Sequence, residues 1–352
     1  DLPLNDIAGV TIRSSGSTAT LKRTDTGWVV ADRFNYPAAF DKLRTALRAL
    51  ADMKVHQVVR ISPAQLNELR LLTPTGNAAG QAGTEVALTG MGDKSIATLI
   101  LGKEHLRDRG EEGGGMFGGG GPYPDGRYIA RSDGASFLVT DTLESFSATP
   151  RDWLDDTFLS LQPNDISRVT VAVPGGEQYT LAKGDSGSDL VLDKLATGEI
   201  MDNMRAGQVA SSLGFLRFDD VADPALTPQM TGLDKPRSIK AEASDGGRYE
   251  IRIGALIPDK AVYYAALNSA FQAPPDPVTT NAAVIATAKE AARKRGEELA
   301  ALNTRLGRWV YLVNSNTVDS LMPARATLVK KLDPAAATND TAAATAMTPE
   351  AP

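Results

Sequence analysis

The chain carries one pattern twice, at an offset of 159 residues. Asp6-Ile7 followed by Val10-Thr11-Ile12 returns as Asp165-Ile166 followed by Val169-Thr170-Val171. The stretch from Leu21 to Val30, with Gly27-Trp28, returns more loosely as Leu181 to Leu192, and Leu72-Thr73-Pro74 returns as Leu233 to Pro236. A segment ending in glycine, Ile96 to Gly102, has its counterpart in Tyr249 to Gly254, and each is followed, after an insertion, by a tyrosine-bearing segment at Tyr128 and at Tyr263-Tyr264. Solenoid and propeller periods run about 20 to 50 residues, so a repeat of this length marks a duplicated domain. With 352 residues, 42% of them hydrophobic, the chain has apolar material for two cores.

Within the first copy, Val10 to Ile12, Thr18 to Lys22 and Trp28 to Val30 read as a meander of strands turned at Ser14 to Ser17 and at Asp25-Thr26-Gly27. Phe40, Leu43, Leu47 and Leu50 recur at helical spacing, with Pro37 suited to a first helical turn. Val55 to Val59 follows as a strand, then a short helical patch from Pro63 to Leu71, then strands at Glu85 to Leu88 and Ile96 to Leu101. A hairpin closes the copy, Tyr128 to Arg131 and Ala135 to Val139 about Ser132-Asp133-Gly134. The second copy keeps this order, with strands at Ile166 to Val173, Tyr179 to Ala182 and Asp189 to Leu192. A helix over Glu199 to Leu213 comes next, and strands at Ile239 to Ala243 and Tyr249 to Ile253. Hairpin-paired strands with one helix and no regular βαβ alternation predict an α+β fold of two tandem repeated modules, each a mainly antiparallel sheet with a packed helix. The expected boundaries are 1–160 and 161–332. Thr149, Pro150 and Asp152 supply a capping-box-like start to an ordered connector.

Two insertions, one inside each copy, distinguish the copies. The first, from Lys103 to Arg127, contains a glycine run at 113–121 with Met116 and Phe117 inside it. Gly113, Gly115 and Gly118 spell G-x-G-x-x-G, but no strand is read into it and no helix after it, so a dinucleotide site is not expected. The plain reading is a surface arm; the sharper one is that Met116 and Phe117 dock into a partner or a membrane interface. The second insertion, from Phe271 to Arg308, opens with Pro274-Pro275-Asp276-Pro277 and continues as a helix from Thr280 to Leu306, about 40 Å long at ~1.5 Å per residue. Ile285, Ala288, Ala292, Leu299, Leu302 and Leu306 form a seam interrupted by Arg295. That seam either packs on its own module or docks another subunit. The tail from Asp333 to Pro352 is rich in Ala, Thr and Pro and is expected to be disordered.

Chemistry is sparse. A net charge of −6, with positive residues dispersed apart from Lys289, Arg293, Lys294 and Arg295, argues against nucleic acid or an anionic membrane surface as partner. The absence of cysteine excludes disulfides, thiolate zinc sites, iron–sulfur clusters and cysteine nucleophiles, and fits a bacterial envelope protein. His56 and His105 are the only histidines, too separated for a metal cluster or a Ser-His-Asp set. The pairs Glu111-Glu112, Asp155-Asp156 and Asp219-Asp220 could bind calcium or serve a glycosidase, but neighbouring loop carboxylates are more often simply solvated. No catalytic residue, cofactor or metal site is therefore expected. No stretch reaches the ~18 apolar residues of a membrane span, and the absence of an initial methionine implies that something upstream has been removed, by processing or by design, which could have held a signal or an anchor.

Gly27-Trp28-Val29, Tyr36-Pro37-Ala38, Leu72-Thr73-Pro74, Leu99-Ile100-Leu101-Gly102, Tyr128-Ile129-Ala130-Arg131 and Arg151-Asp152-Trp153-Leu154, taken in order, resemble the bacterial domain-of-unknown-function family 4340, as two tandem copies. The likeness covers most of residues 7–160 and, more weakly, 161–330. The resemblance implies an extracytoplasmic, periplasmic protein held by an N-terminal membrane anchor, with membrane-protein partners such as an ABC transporter permease or its auxiliary subunit, often of the gliding-motility type. It supplies no catalytic residue. The expected function is thus a non-enzymatic binding or scaffold subunit, with Met116, Phe117, Ile285, Ala288, Ala292, Leu299 and Leu302 as candidate contacts. The alternative is a carbohydrate-active or polymer-binding envelope protein with a carboxylate-lined cleft between the modules.

Overall fold

The computed structural model describes residues 2–107, 122–184 and 189–331. It divides into two compact units, residues 1–155 and 156–352. Both are α+β, built on large antiparallel sheets of nine and eight strands.

In the first unit, β1 (Gly9–Ser14), β2 (Ser17–Thr24) and β3 (Gly27–Val30) form the meander, and β4 (Tyr36–Pro37) adds an edge. After helix α1 (Phe40–Asp52) come β5 (Val55–Val59), the short helix α2 (Pro63–Glu68), β6 (Thr84–Thr89), β7 (Ser95–Arg107), β8 (Tyr123–Arg131) and β9 (Ser136–Val139). The sheet order is β4-β3-β2-β1-β6-β7-β8-β9-β5. Register puts Val10 opposite Leu21 and Leu88, and Ile12 opposite Ala19 and Val86, so these buried side chains share one face. Helix α1 buries Leu43, Ala46, Leu47 and Leu50, an i, i+3, i+4, i+7 stripe.

Three expectations change here. Tyr36-Pro37 is strand, not the first turn of α1: Pro37 pairs with Val29 at the sheet edge, where a residue without an N–H does no harm. The helix starts at Phe40, which is exposed. The segment from Lys103 to Arg127 is not wholly an insertion. β7 and β8 continue as a paired stem, Glu104 opposite Arg127 and Arg107 opposite Tyr123, so a strand does run toward the glycine run. The run itself, with Met116 and Phe117, lies outside the described residues, as do Glu111-Glu112 and the tail. At the connector, Pro150–Trp153 is a single 3-10 turn and Thr149 caps nothing. Asp152 instead accepts a hydrogen bond from Ser147 Oγ at 2.5 Å.

The second unit contains β10 (Thr157–Leu159), β11 (Ile166–Ala172), β12 (Gln178–Lys183), β13 (Leu190–Leu192) and β14 (Glu199–Met201), then helix α3 (Asn203–Gly214), β15 (Leu216–Arg217), β16 (Asp220–Val221) and the short α4 (Pro228–Thr231). It continues through β17 (Arg237–Ala243), β18 (Gly247–Ile257), β19 (Val262–Phe271), helix α5 (Ala282–Leu306), β20 (Tyr311–Asn314), α6 (Ser315–Leu321) and β21 (Val329–Lys331). Its main sheet runs β13-β12-β11-β17-β18-β19-β20-β16. The expected helix over Glu199 to Leu213 is shorter, because residues 199–201 pair with β21 and Asp202 then caps α3 through its carboxylate.

Strand for strand, the second sheet has the order of the first once β4 is set aside. The helices correspond too: α2 begins at Ser62-Pro63 and α4 at Thr227-Pro228, each between the edge strand of its sheet and the strand that pairs with β1 or β11. Both are followed by a close backbone crossing. Gly102 and Gly254, equivalent in the two sheets, leave room for the carbonyl oxygens of Leu69 and Thr231, which a Cβ would meet at 2.4 and 2.1 Å.

Candidate functional site

The first unit contains an open pocket of about 420 Å³ beside the start of α1. α1 supplies Asp41, Lys42 and Thr45, and the segment after β9 supplies Ser145, Ser147, Asp152 and Trp153. Trp153 fixes the second wall: its ring is buried and its Nε1 donates to the Ser147 carbonyl at 2.7 Å. The polar groups are already engaged with one another. Lys42 Nζ donates to the Asp152 carbonyl at 3.3 Å, Asp41 accepts from Arg44 at 2.8 Å, and Thr45 Oγ1 donates to the Asp41 carbonyl at 2.8 Å. With these groups turned to one another, the surface left open to a ligand is mostly apolar. Its Ser147 hydroxyl donates to the Asp152 carboxylate, and no histidine is among its lining residues.

The two histidines lie elsewhere. His56 is exposed on β5. On the β7–β8 stem, His105 Nδ1 sits 2.6 Å from Asp125 Oδ1, with the Tyr128 ring edge-on at 5.9 Å and Arg107 at 4.0 Å from the same carboxylate. The hydrogen bond from His105 is the main reason the Asp125 carboxyl is held below its usual range. Beside it, Arg127 and Glu104 pair at 2.7 Å. These contacts close the stem and account for the cluster without a ligand. Of the acidic pairs, Asp156 binds Arg217 at 2.8 Å, and no group of three His, Cys, Asp or Glu among the described residues could hold a metal ion.

The predicted contact seam on α5 faces its own sheet. Leu299 and Leu306 are buried, and Ile285, Ala288, Ala292 and Leu302 are half-buried on the same side. Ser269 of β19 donates to the Leu299 carbonyl at 2.9 Å through its Oγ and to Asn303 Oδ1 at 3.2 Å through its backbone N–H. Gly296 lies against the Phe271 ring, where a Cβ would stand 3.2 Å away. Arg295, which breaks the seam in sequence, donates to Tyr249 Oη at 2.7 Å, and its Nε lies 2.6 Å from Asp245 Oδ2 as an ion pair. Leu299 is therefore a core residue and not a docking contact, a correction that follows from its burial under β19. The rest of the basic run is matched as well, Lys289 by Asp276, Arg293 by Glu290 and Glu297, and Lys294 by Glu290.

Comparison with family profiles places residues 28–236 in the family described as Domain of unknown function (DUF4340). The chain belongs to this family. The DUF4340 match is one continuous span, from Trp28 in β3 to Pro236 just before β17, where two successive copies were expected. It takes in the pocket of the first unit and the His105–Asp125 stem, and it ends before α5. Comparison with curated proteins and with solved structures finds no match. Among the described residues no helix is long and apolar enough to cross a membrane.

Sequence reasoning did not anticipate the pocket. Its residues come from two segments about a hundred positions apart, and only Asp152 and Trp153 had drawn notice, as part of the connector.

Proposed function

We propose that this chain is a non-enzymatic, extracytoplasmic binding or scaffold subunit, accessory to an ABC-type transporter or a gliding-related envelope complex, and that its two units are tandem copies of one module. The observation that carries this reading is the recurrence of one strand order in both units, with equivalent helices and equivalent glycines. What differs between the units is surface. The first has a five-residue uncovered edge at β5 and a long β7–β8 stem, and the second a two-residue edge at β16 and the α5 helix. Duplicating a framework and diverging its edges yields two distinct contact surfaces on one support, as a scaffold requires. The transporter setting and the membrane anchor rest on the family resemblance.

A second reading, a carbohydrate- or polymer-binding envelope protein, is favoured by the open, mostly apolar pocket that has Asp41 and Asp152 among its lining residues. One experiment separates the two. The tagged protein is crosslinked in its native envelope, captured, and compared with a chain lacking residues 113–121, while glycan binding is measured on the purified chain. Recovery of an ABC permease or its auxiliary subunit supports the scaffold reading, and dependence on 113–121 would locate a contact at Met116 and Phe117. Glycan binding that is lost in Asp152→Asn, with no permease recovered, would replace it.

A further inference from the structure

We infer that the free edge of β5 accepts an extended, acidic segment of a partner protein as an added strand. This rests on the reading of the chain as a protein-binding module, and names the chemistry of what one surface binds. β5 is the last strand of its sheet, paired with β9 on one side only. Val55 and Val58 are 53% and 66% exposed, and His56 and Gln57 are exposed between them, so neither face of the strand is covered. A core role does not explain its valines. β-Branched residues hold the backbone extended, and an unpaired edge presents a row of N–H and C=O groups ready for another strand.

The equivalent edge in the second unit is closed. β16 has two residues, and Val221 is buried. Short and covered edges are two of the ways proteins avoid strand addition, and β5 is neither; its one irregularity is the register shift between Val55 and Gln57, which leaves Gln57 to Val59 regularly paired with β9.

Charge selects the occupant. Lys54 and Arg60 flank the strand, both are exposed, and among the described residues neither they nor His56 form an ion pair. A second copy of the chain fits badly. Antiparallel self-pairing about Gln57 sets Lys54 opposite Arg60, and parallel pairing in register sets each cation opposite itself, both of which oppose like charges across the ladder. An extended segment with acidic residues at its ends turns both repulsions into pairs. The local cations stand out on a chain of net charge −6.

The test uses the full chain and fluorescently labelled peptides, read by anisotropy. The probes are the acidic strand peptide EVTVTVD, its basic counterpart KVTVTVK, and the acidic peptide with alternate backbone amides N-methylated. The acidic peptide should bind about tenfold more tightly than the basic one, since two exposed charge pairs change from attraction to repulsion. Lys54→Glu combined with Arg60→Glu, at exposed positions, should reverse that preference, and N-methylation should abolish binding. Equal binding of all three peptides, an unchanged preference in the charge-reversed chain, or a chain dimer lost in Val58→Lys would each overturn the inference. Envelope capture with the charge-reversed chain keeps the two proposals apart. A permease recovered undiminished by a chain whose wild type fails to bind the peptides leaves the scaffold reading standing and removes this one. Peptide binding as expected, with no permease recovered, does the reverse.

Discussion

Gly254 lies directly under Thr231: a methyl group on its Cα would stand 2.1 Å from the Thr231 carbonyl oxygen. The obstacle is backbone at the end of α4, which cannot swing aside as a side chain can. Gly254→Ala is therefore expected to cost about 1–3 kcal/mol through forced displacement of the crossing, measured as a lowered urea midpoint. Gly207 on the exposed side of α3 has nothing within 4 Å of its virtual Cβ. Gly207→Ala should instead stabilise by about 0.5–1 kcal/mol by removing helix-disfavouring backbone freedom. An equal effect at the two sites would refute the crossing as the cause.

Leu299→Ala tests the placement of α5. The side chain is 2% exposed beneath β19, so its truncation should cost about 2–5 kcal/mol in thermal or urea unfolding. A loss under 1 kcal/mol would mean that α5 is not packed on its sheet and would return the seam to the list of docking surfaces.

Phe158, Phe218 and Tyr311 form a buried aromatic trio in the second unit, with both phenylalanine rings near Tyr311, at 4.7 Å each between centroids. Tyr311 Oη donates to the Leu306 carbonyl at 3.1 Å, at the end of α5. Tyr311→Phe keeps the ring and removes that bond, for an expected loss of about 0.5–1.5 kcal/mol. Phe158→Ala should lose about 3–5 kcal/mol. The ranking of the two variants by calorimetry is the check.

The Glu199–Arg325 pair should show itself in acid. Arg325 donates to both Glu199 oxygens, at 3.0 and 2.6 Å, and these bonds hold the Glu199 carboxyl down to about 2 from a reference of 4.5. A carboxyl depressed on folding adds stability that is fully present above its unfolded value and is lost as pH falls through its folded one. Wild type should exceed Glu199→Gln in stability at pH 7, and the gap should narrow from about pH 4.5 and close near pH 2. A gap that does not change over that window, in urea titrations at stepped pH, would rule out the pair as its source.

The sheets were legible in the sequence because their signals are local. Alternation in Val10 to Ile12 and Thr18 to Lys22, with glycine turns between, specifies a meander whatever lies around it. Alternation in Ile166 to Val173 and Tyr179 to Ala182 marks the strands of the second sheet in the same local way. What was not legible depends on partners far along the chain. Residues 199–201 have helical neighbours but pair with 329–331, and Pro37 is strand because Val29 lies beside it. The seam on α5 could be seen as apolar, yet its direction was fixed only by Ser269 and Phe271. The pocket and the uncovered state of β5 likewise exist only once strands and helices have been placed, since each joins residues that no local pattern connects.

In both sheets the last main strand to be made is not at the edge: β9 lies between β8 and β5, and β20 between β19 and β16. The edge strands β5 and β16 are synthesised earlier and have no sheet neighbour until the far end of their unit emerges from the ribosome. For β5 this means that Val55 to Val59 stays unpaired until Ser136 to Val139 arrives and is clasped on both sides. Each unit thus closes in a single late step across a long loop of chain, a non-local pairing that slows folding and leaves a sticky strand waiting in the nascent protein.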